Sequence, residues 1–147
     1  MAKGKRTHGK LSIFKGREAK LNFAIFQVLA LKGPQTIYDI HKELKAKKRL
    51  KHVRYASVNK RVRILEESDY INKIGVKKTK AGFQTSIYEL TVKAYLAILL
   101  NSINLEELVQ RVDESAALAI LATVVSITQP SNSNANPQRI FISSLHE

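Results

Sequence analysis

Asn59, Lys60 and Arg63 stand in the stretch RYASVNKRVRILEESDYI, Arg54 to Ile71. Val58, Val62 and Leu65 recur at i, i+4 and i+7, so they form one stripe of an α-helix and leave Ala56, Asn59, Lys60 and Arg63 on another. The first stripe suits a core; the second is short, polar and cationic. An amide beside a guanidinium and an ammonium group suits the edges of duplex DNA. An α-helix fits the major groove, where Arg or Lys pairs with guanine and Asn with adenine. A surface helix with solvated charges would show the same pattern, so the rest of the chain has to choose between the two.

Other chemistries find no residues to carry them. The chain has no cysteine, which removes disulfides, thiolate nucleophiles and thiolate zinc sites. Its four histidines, His8, His41, His52 and His146, are not at metal-ligand spacing from one another. There is no glycine-rich phosphate loop, no nucleophile elbow and no carboxylate pair in an apolar setting. Glu66 and Glu67 are adjacent and therefore lie on different helix faces. The expectation is a protein with no catalytic residues, no metal and no cofactor, not an enzyme. No effector pocket can be read from the sequence.

Charge points to a polyanionic partner, nucleic acid or an anionic membrane surface, and does not by itself choose between them. Of 147 residues, 25 are Lys or Arg and 12 are Asp or Glu, giving a net charge of +13 and a pI near 10.1. Residues 1–80 hold 22 of the cations and 6 of the acids, a net of +16, whereas residues 81–147 hold 3 and 6, a net of −3. A basic half of this kind is the footprint of a polyanion binder, because phosphate contacts give affinity independent of sequence. The opening MAKGKRTHGK is charged and precedes no apolar run, which argues against a secretory signal.

The elements that must position the polar stripe can be read in order. Residues 1–16 are expected to be a basic arm, suited to lie along phosphates or enter a minor groove. Leu21, Ala24, Ile25, Val28 and Leu29 give a helix over about Arg17 to Leu31, stopped by Gly33 and Pro34. Phe23, Phe26 and Ala30 make a second apolar side, which calls for cover from C-terminal helices or a partner subunit. Thr36 is placed to cap a second helix, with Asp39 three residues on, and Ile37, Ile40 and Leu44 form its inner stripe to about Lys47. AKKRLKHVR, Ala46 to Arg54, then crosses to the polar helix, and Lys48, Arg49, Lys51 and Arg54 are candidates for phosphate contact at a groove edge. Ile71 to Lys78 and Phe83 to Leu90 read as a hairpin about Thr79–Gly82, with Tyr88 and Leu90 inward and Lys77, Lys78 and Lys80 at the tip.

Helix, helix, helix and hairpin follow the order of a winged helix-turn-helix, and the local sequences resemble PadR-like and MarR-like regulators. LALKGPQTIYDIHKEL resembles the end of their first helix with its Gly-Pro turn and the start of the second. SVNKRVRILEESDYI resembles their recognition helix, and IYELT their second wing strand leading into the next helix. The resemblance covers about Leu21 to Leu100. It implies that Ser57, Asn59, Lys60 and Arg63 face the groove with Arg61 bordering them, and that Lys77, Lys78 and Lys80 are wing contacts. Asp69 departs from the pattern, since these families commonly carry Gly there; a left-handed turn costs Asp some steric strain.

After Thr91 the composition becomes apolar, in TVKAYLAILLNS, NLEELVQRV and SAALAILATVVSIT. The last run is too short for the ~20 residues of a membrane span, and Asp113 and Glu114 abut it. It is expected to be buried, either within one subunit or between two; the resemblance favours dimerisation through helices outside the wing. The expected fold is thus mainly α with a small β-hairpin wing. A winged helix-turn-helix over 17–100 is followed by dimerisation helices over 101–128 and a low-complexity tail over 129–147. The function expected is a homodimeric transcription regulator on double-stranded DNA, cytoplasmic and nucleoid-associated, with no membrane partner. A winged helix on RNA or ribonucleoprotein, and a protein-interaction module of a transcription assembly, are the alternatives.

Overall fold

The computed structural model describes residues 11–129, in two compact units divided between Ile103 and Asn104. The first contains α1 (Ala19–Lys32), β1 (Gln35–Thr36), α2 (Ile37–Lys45), α3 (Tyr55–Glu67), β2 (Ile71–Lys78), β3 (Gln84–Leu90) and α4 (Val92–Ser102). The three strands form an antiparallel sheet in the order β1-β3-β2. This is a winged helix-turn-helix.

The core is built from the apolar stripes. Ile25, Phe26 and Leu29 of α1 meet Ile40 and Leu44 of α2 and Val58, Val62 and Leu65 of α3, all essentially inaccessible to solvent. Ile71, Tyr88 and Leu90 close it from the base of the sheet, and Ala94 and Ala97 from α4. Small residues at the two α4 positions let that helix approach closely. Truncating Phe26 in such a core would cost about 3–5 kcal/mol.

The second apolar side of α1 is covered at Phe23 and Phe26 by the chain that precedes the helix, while Ala30 stays exposed. Phe14, placed within a basic arm by the sequence reading, ends one turn of 3-10 helix (Ser12–Phe14) and is buried. Its ring meets Phe23 and Phe26 edge-on at centroid distances of 5.8 and 5.9 Å, and Tyr70 lies against Phe26 at 5.9 Å. Asn22 holds the turn in place, its Nδ2 donating to the Ile13 carbonyl at 2.9 Å. A basic arm over 1–16 is therefore too long, because Leu11, Ile13 and Phe14 belong to the folded unit. Residues 1–10 lie outside the described residues.

Helix ends follow local chemistry. Gly33, at φ 77°, ends α1 one residue later than Leu31. Thr36 caps α2 reciprocally with Asp39: the Asp39 amide donates to Thr36 Oγ1 at 3.1 Å and Thr36 Oγ1 donates to Asp39 Oδ2 at 2.8 Å. Helix α2 stops at Lys45, short of Lys47, and successive turns through Leu50 and Val53 carry the chain to α3. The strand β1 has no sequence signal; it exists because Gln35 and Thr36 pair with Tyr88 and Ile87.

The second unit contains α5 (Leu105–Arg111) and α6 (Glu114–Thr128), begun by Asn104 and Asp113 as side-chain caps. Neither helix buries any of its residues among the described residues, and Leu118, Ile120, Leu121, Val124 and Ile127 are all exposed. The low-complexity tail expected over 129–147 lies outside the described residues apart from Gln129.

Candidate nucleic-acid interface

Helix α3 turns its apolar stripe wholly inward, which leaves Arg54, Ser57, Lys60 and Arg63 exposed and Asn59 and Arg61 half-buried at the flanks. Arg63 Nε donates to Asn59 Oδ1 at 3.2 Å along one turn of the outer face. The helix starts at Arg54 with no side-chain cap and no acid in its first turn, so its positive end is unneutralised. His41 of α2 fixes that start. Its Nε2 bonds the Val53 carbonyl at 3.0 Å and its ring meets Tyr55 edge-on at 5.7 Å.

The far end of α3 is tied to the base of the wing. Asp69 adopts a left-handed turn at φ 61°. Its carbonyl accepts from Thr91 Oγ1 at 2.6 Å, while the Thr91 amide donates to the Tyr70 carbonyl at 3.1 Å. Lys93 Nζ donates to the Ser68 carbonyl at 2.8 Å and sits 4.5 Å from the centre of the Tyr70 ring. These bonds set the angle between α3 and the hairpin. A bulge between Lys73 and Gly75 then shifts the register, so Ile71 pairs with Leu90 and Lys78 with Gln84.

Lys77, Lys78 and Lys80 are exposed at the far end of the hairpin and share a cleft of about 280 Å³ with Thr36, Tyr38 and Asp39 at the start of α2. Lys48 and Arg49 lie elsewhere. They line a larger cleft, about 610 Å³, against Lys20, Phe23 and Gln27 of α1, where Lys47 Nζ donates to Gln27 Oε1 at 3.1 Å. Lys51 is exposed in the same connection. Tyr38 escaped the sequence reading because it stands in no charge cluster; the fold alone brings it to basic neighbours.

Among the described residues the ion pair is Arg111 with Glu107, at 2.7 Å in the second unit. The cations of α3, of its approach and of the wing thus form no ion pair with a described carboxylate. No group of three or more His, Asp or Glu among the described residues could hold a metal ion. No helix among them is long and apolar enough to cross a membrane.

No protein-family model matches the chain, and no curated protein matches its sequence. Solved structures resemble it loosely, three of them as follows. Diamide-treated YodB from Bacillus subtilis superposes with a TM-score of 0.45 at 21% identity, over 61% of this chain and 77% of that one. TA0346 from Thermoplasma acidophilum, assigned as a transcriptional regulator, gives 0.44 at 15%, over 66% and 100%. BpsR from Bordetella bronchiseptica, whose DNA binding is regulated by 6-hydroxynicotinic acid, gives 0.37 at 14%, over 73% and 76%.

Proposed function

We propose that this chain is a sequence-specific regulator of transcription that binds double-stranded DNA as a homodimer. One observation carries the reading: α3 and the wing project cations and amides to solvent with no carboxylate of the described residues paired to them. Unpaired cations on a rigid surface release counterions from a polyanion without first breaking an internal ion pair. In this reading α3 enters the major groove, with Ser57, Asn59, Lys60 and Arg63 toward the bases and Arg61 at the border. Lys77, Lys78 and Lys80 take one phosphate backbone. Lys48, Arg49, Lys51 and Arg54 take phosphates at the groove edge, and the protein works at the nucleoid.

The second copy accounts for α5 and α6. An apolar helix of 15 residues, none of them buried among the described residues, is poorly suited to water, and a C2 partner would cover it with the same surface. Two recognition helices would then meet successive major grooves about 34 Å apart.

The test is fluorescence anisotropy of the protein with random duplex DNA across a salt series, with molar mass from light scattering. A dimer whose log affinity falls with log salt by ~0.9 per neutralised phosphate is the expected result. A monomer with a shallow slope, or tighter binding to an RNA duplex of the same sequence, would overturn the reading.

A further inference from the structure

The wing ends in a residue with no role in the fold. Phe83 is 72% exposed, although it stands directly beside β3 and could have been any polar residue without loss to the core. Its position is nevertheless fixed. The Thr79 amide donates to the Phe83 carbonyl at 2.7 Å, the Phe83 amide donates to Thr79 Oγ1 at 3.1 Å, and the Gly82 amide donates to the Thr79 carbonyl at 2.9 Å. Gly82, at φ 86°, takes the left-handed conformation that closes this turn. A scattered apolar residue on a surface needs no explanation, but this one is held at the apex of a projecting ribbon between Lys78 and Lys80 on one side and Gln84 on the other.

We propose that Phe83 is an apolar wedge that enters the minor groove and opens a base step, with Lys77, Lys78 and Lys80 on the flanking phosphates. This rests on the duplex-DNA reading above. The argument is one of complementary chemistry. Three lysines bring the tip to a phosphate backbone, and the apolar surface within reach there is the stacked face of the bases. A rigid turn loses little conformational freedom on insertion, so stacking contact can offset the cost of unstacking. The outcome is a bent duplex in which the wing contributes contact area as well as charge.

The experiment uses the full chain and a random duplex labelled at both ends, reading affinity by anisotropy and end-to-end distance by energy transfer. The wild-type protein should shorten the end-to-end distance on saturation. Phe83→Ala should weaken binding roughly tenfold, leave the salt slope unchanged and abolish the shortening. Phe83→Leu should restore both, because the wedge needs an apolar body rather than an aromatic ring. Equal affinity and equal shortening for Phe83→Ala would overturn the wedge while leaving duplex binding intact. Rescue by Phe83→Trp but not by Phe83→Leu, with single strands preferred to duplex, would overturn it in favour of stacking on an unpaired base. Failure of the wild-type protein to bind the duplex would instead remove the reading on which the proposal rests.

Discussion

Arg63 and Asn59 are bonded to one another on the outer face of α3, Nε to Oδ1 at 3.2 Å. The bond occupies an Asn59 oxygen lone pair and leaves both terminal nitrogens of Arg63 free. An amide that already accepts from Arg63 is constrained in how it meets adenine, which requires it to accept and donate at once. The two side chains therefore act as one unit. Asn59→Ala and Arg63→Ala should each reduce discrimination between cognate and random DNA by ~1–3 kcal/mol. Their double variant should lose less than the total of the two, with a coupling of about 0.5–3 kcal/mol in a double-mutant cycle. Additive losses would show that each reads its base alone.

Lys78 and Lys80 should behave differently. Both are exposed near the tip of the hairpin, beside Tyr38 and Asp39 of α2. Replacing both by Ala should weaken cognate and random duplexes alike and lower the slope of log affinity against log salt by about 0.9 for each contact removed. A selective loss on cognate DNA would assign the wing to base reading instead.

The helices were legible because their stripes are periodic, and Ile37, Ile40 and Leu44 or Val58, Val62 and Leu65 are buried as their spacing requires. The hairpin was legible from its turn and from Tyr88 and Leu90. What escaped has no period. A single 3-10 turn around Phe14 is three residues long, and its aromatic ring becomes core only when α1 presents Phe23 and Phe26 to it. Strand β1 is two polar residues whose partners lie more than fifty positions away. At the candidate interface, α3 and the wing were legible from residue types, but the cleft that joins Tyr38 to the wing lysines is a product of tertiary packing.

Asp69 offers a test of strain at the junction of α3 and wing. At φ 61° it occupies a region costly to residues with a Cβ, while the bond to Thr91 uses only its backbone carbonyl. Asp69→Gly should raise stability by about 0.5 kcal/mol, the relief of strain exceeding the larger chain entropy of Gly when unfolded. Asp69→Ala should lower it, since Ala has no polar side chain to favour the left-handed turn. Urea titrations that rank Gly below Asp would contradict the assignment of strain.

His41 ties α2 to the start of α3 through the Val53 carbonyl and the Tyr55 ring. His41→Ala removes one half-buried hydrogen bond and one edge contact, for a loss of ~1 kcal/mol. In a domain of about this size that lowers the melting temperature by roughly 4–8 °C. An unchanged melting curve would mean that the connection holds α3 without it.

The last prediction concerns the second unit. Leu118 and Leu121 are each 58% exposed on α6, three residues apart and hence on one face, and Leu121 lines an apolar groove with Leu108, Val112 and Val124. If a second copy covers this face, Leu118→Glu with Leu121→Glu places two like charges per chain against their counterparts across a C2 interface. The variant should then be monomeric by light scattering at concentrations where the wild-type protein is dimeric. Thermal unfolding of the winged unit should be preserved, because neither leucine belongs to its core. Affinity for a duplex carrying two half-sites should fall toward that for a single half-site, since the gain from tethering two recognition helices is lost. A variant that remains dimeric, with affinity for the double site intact, would place the subunit interface elsewhere.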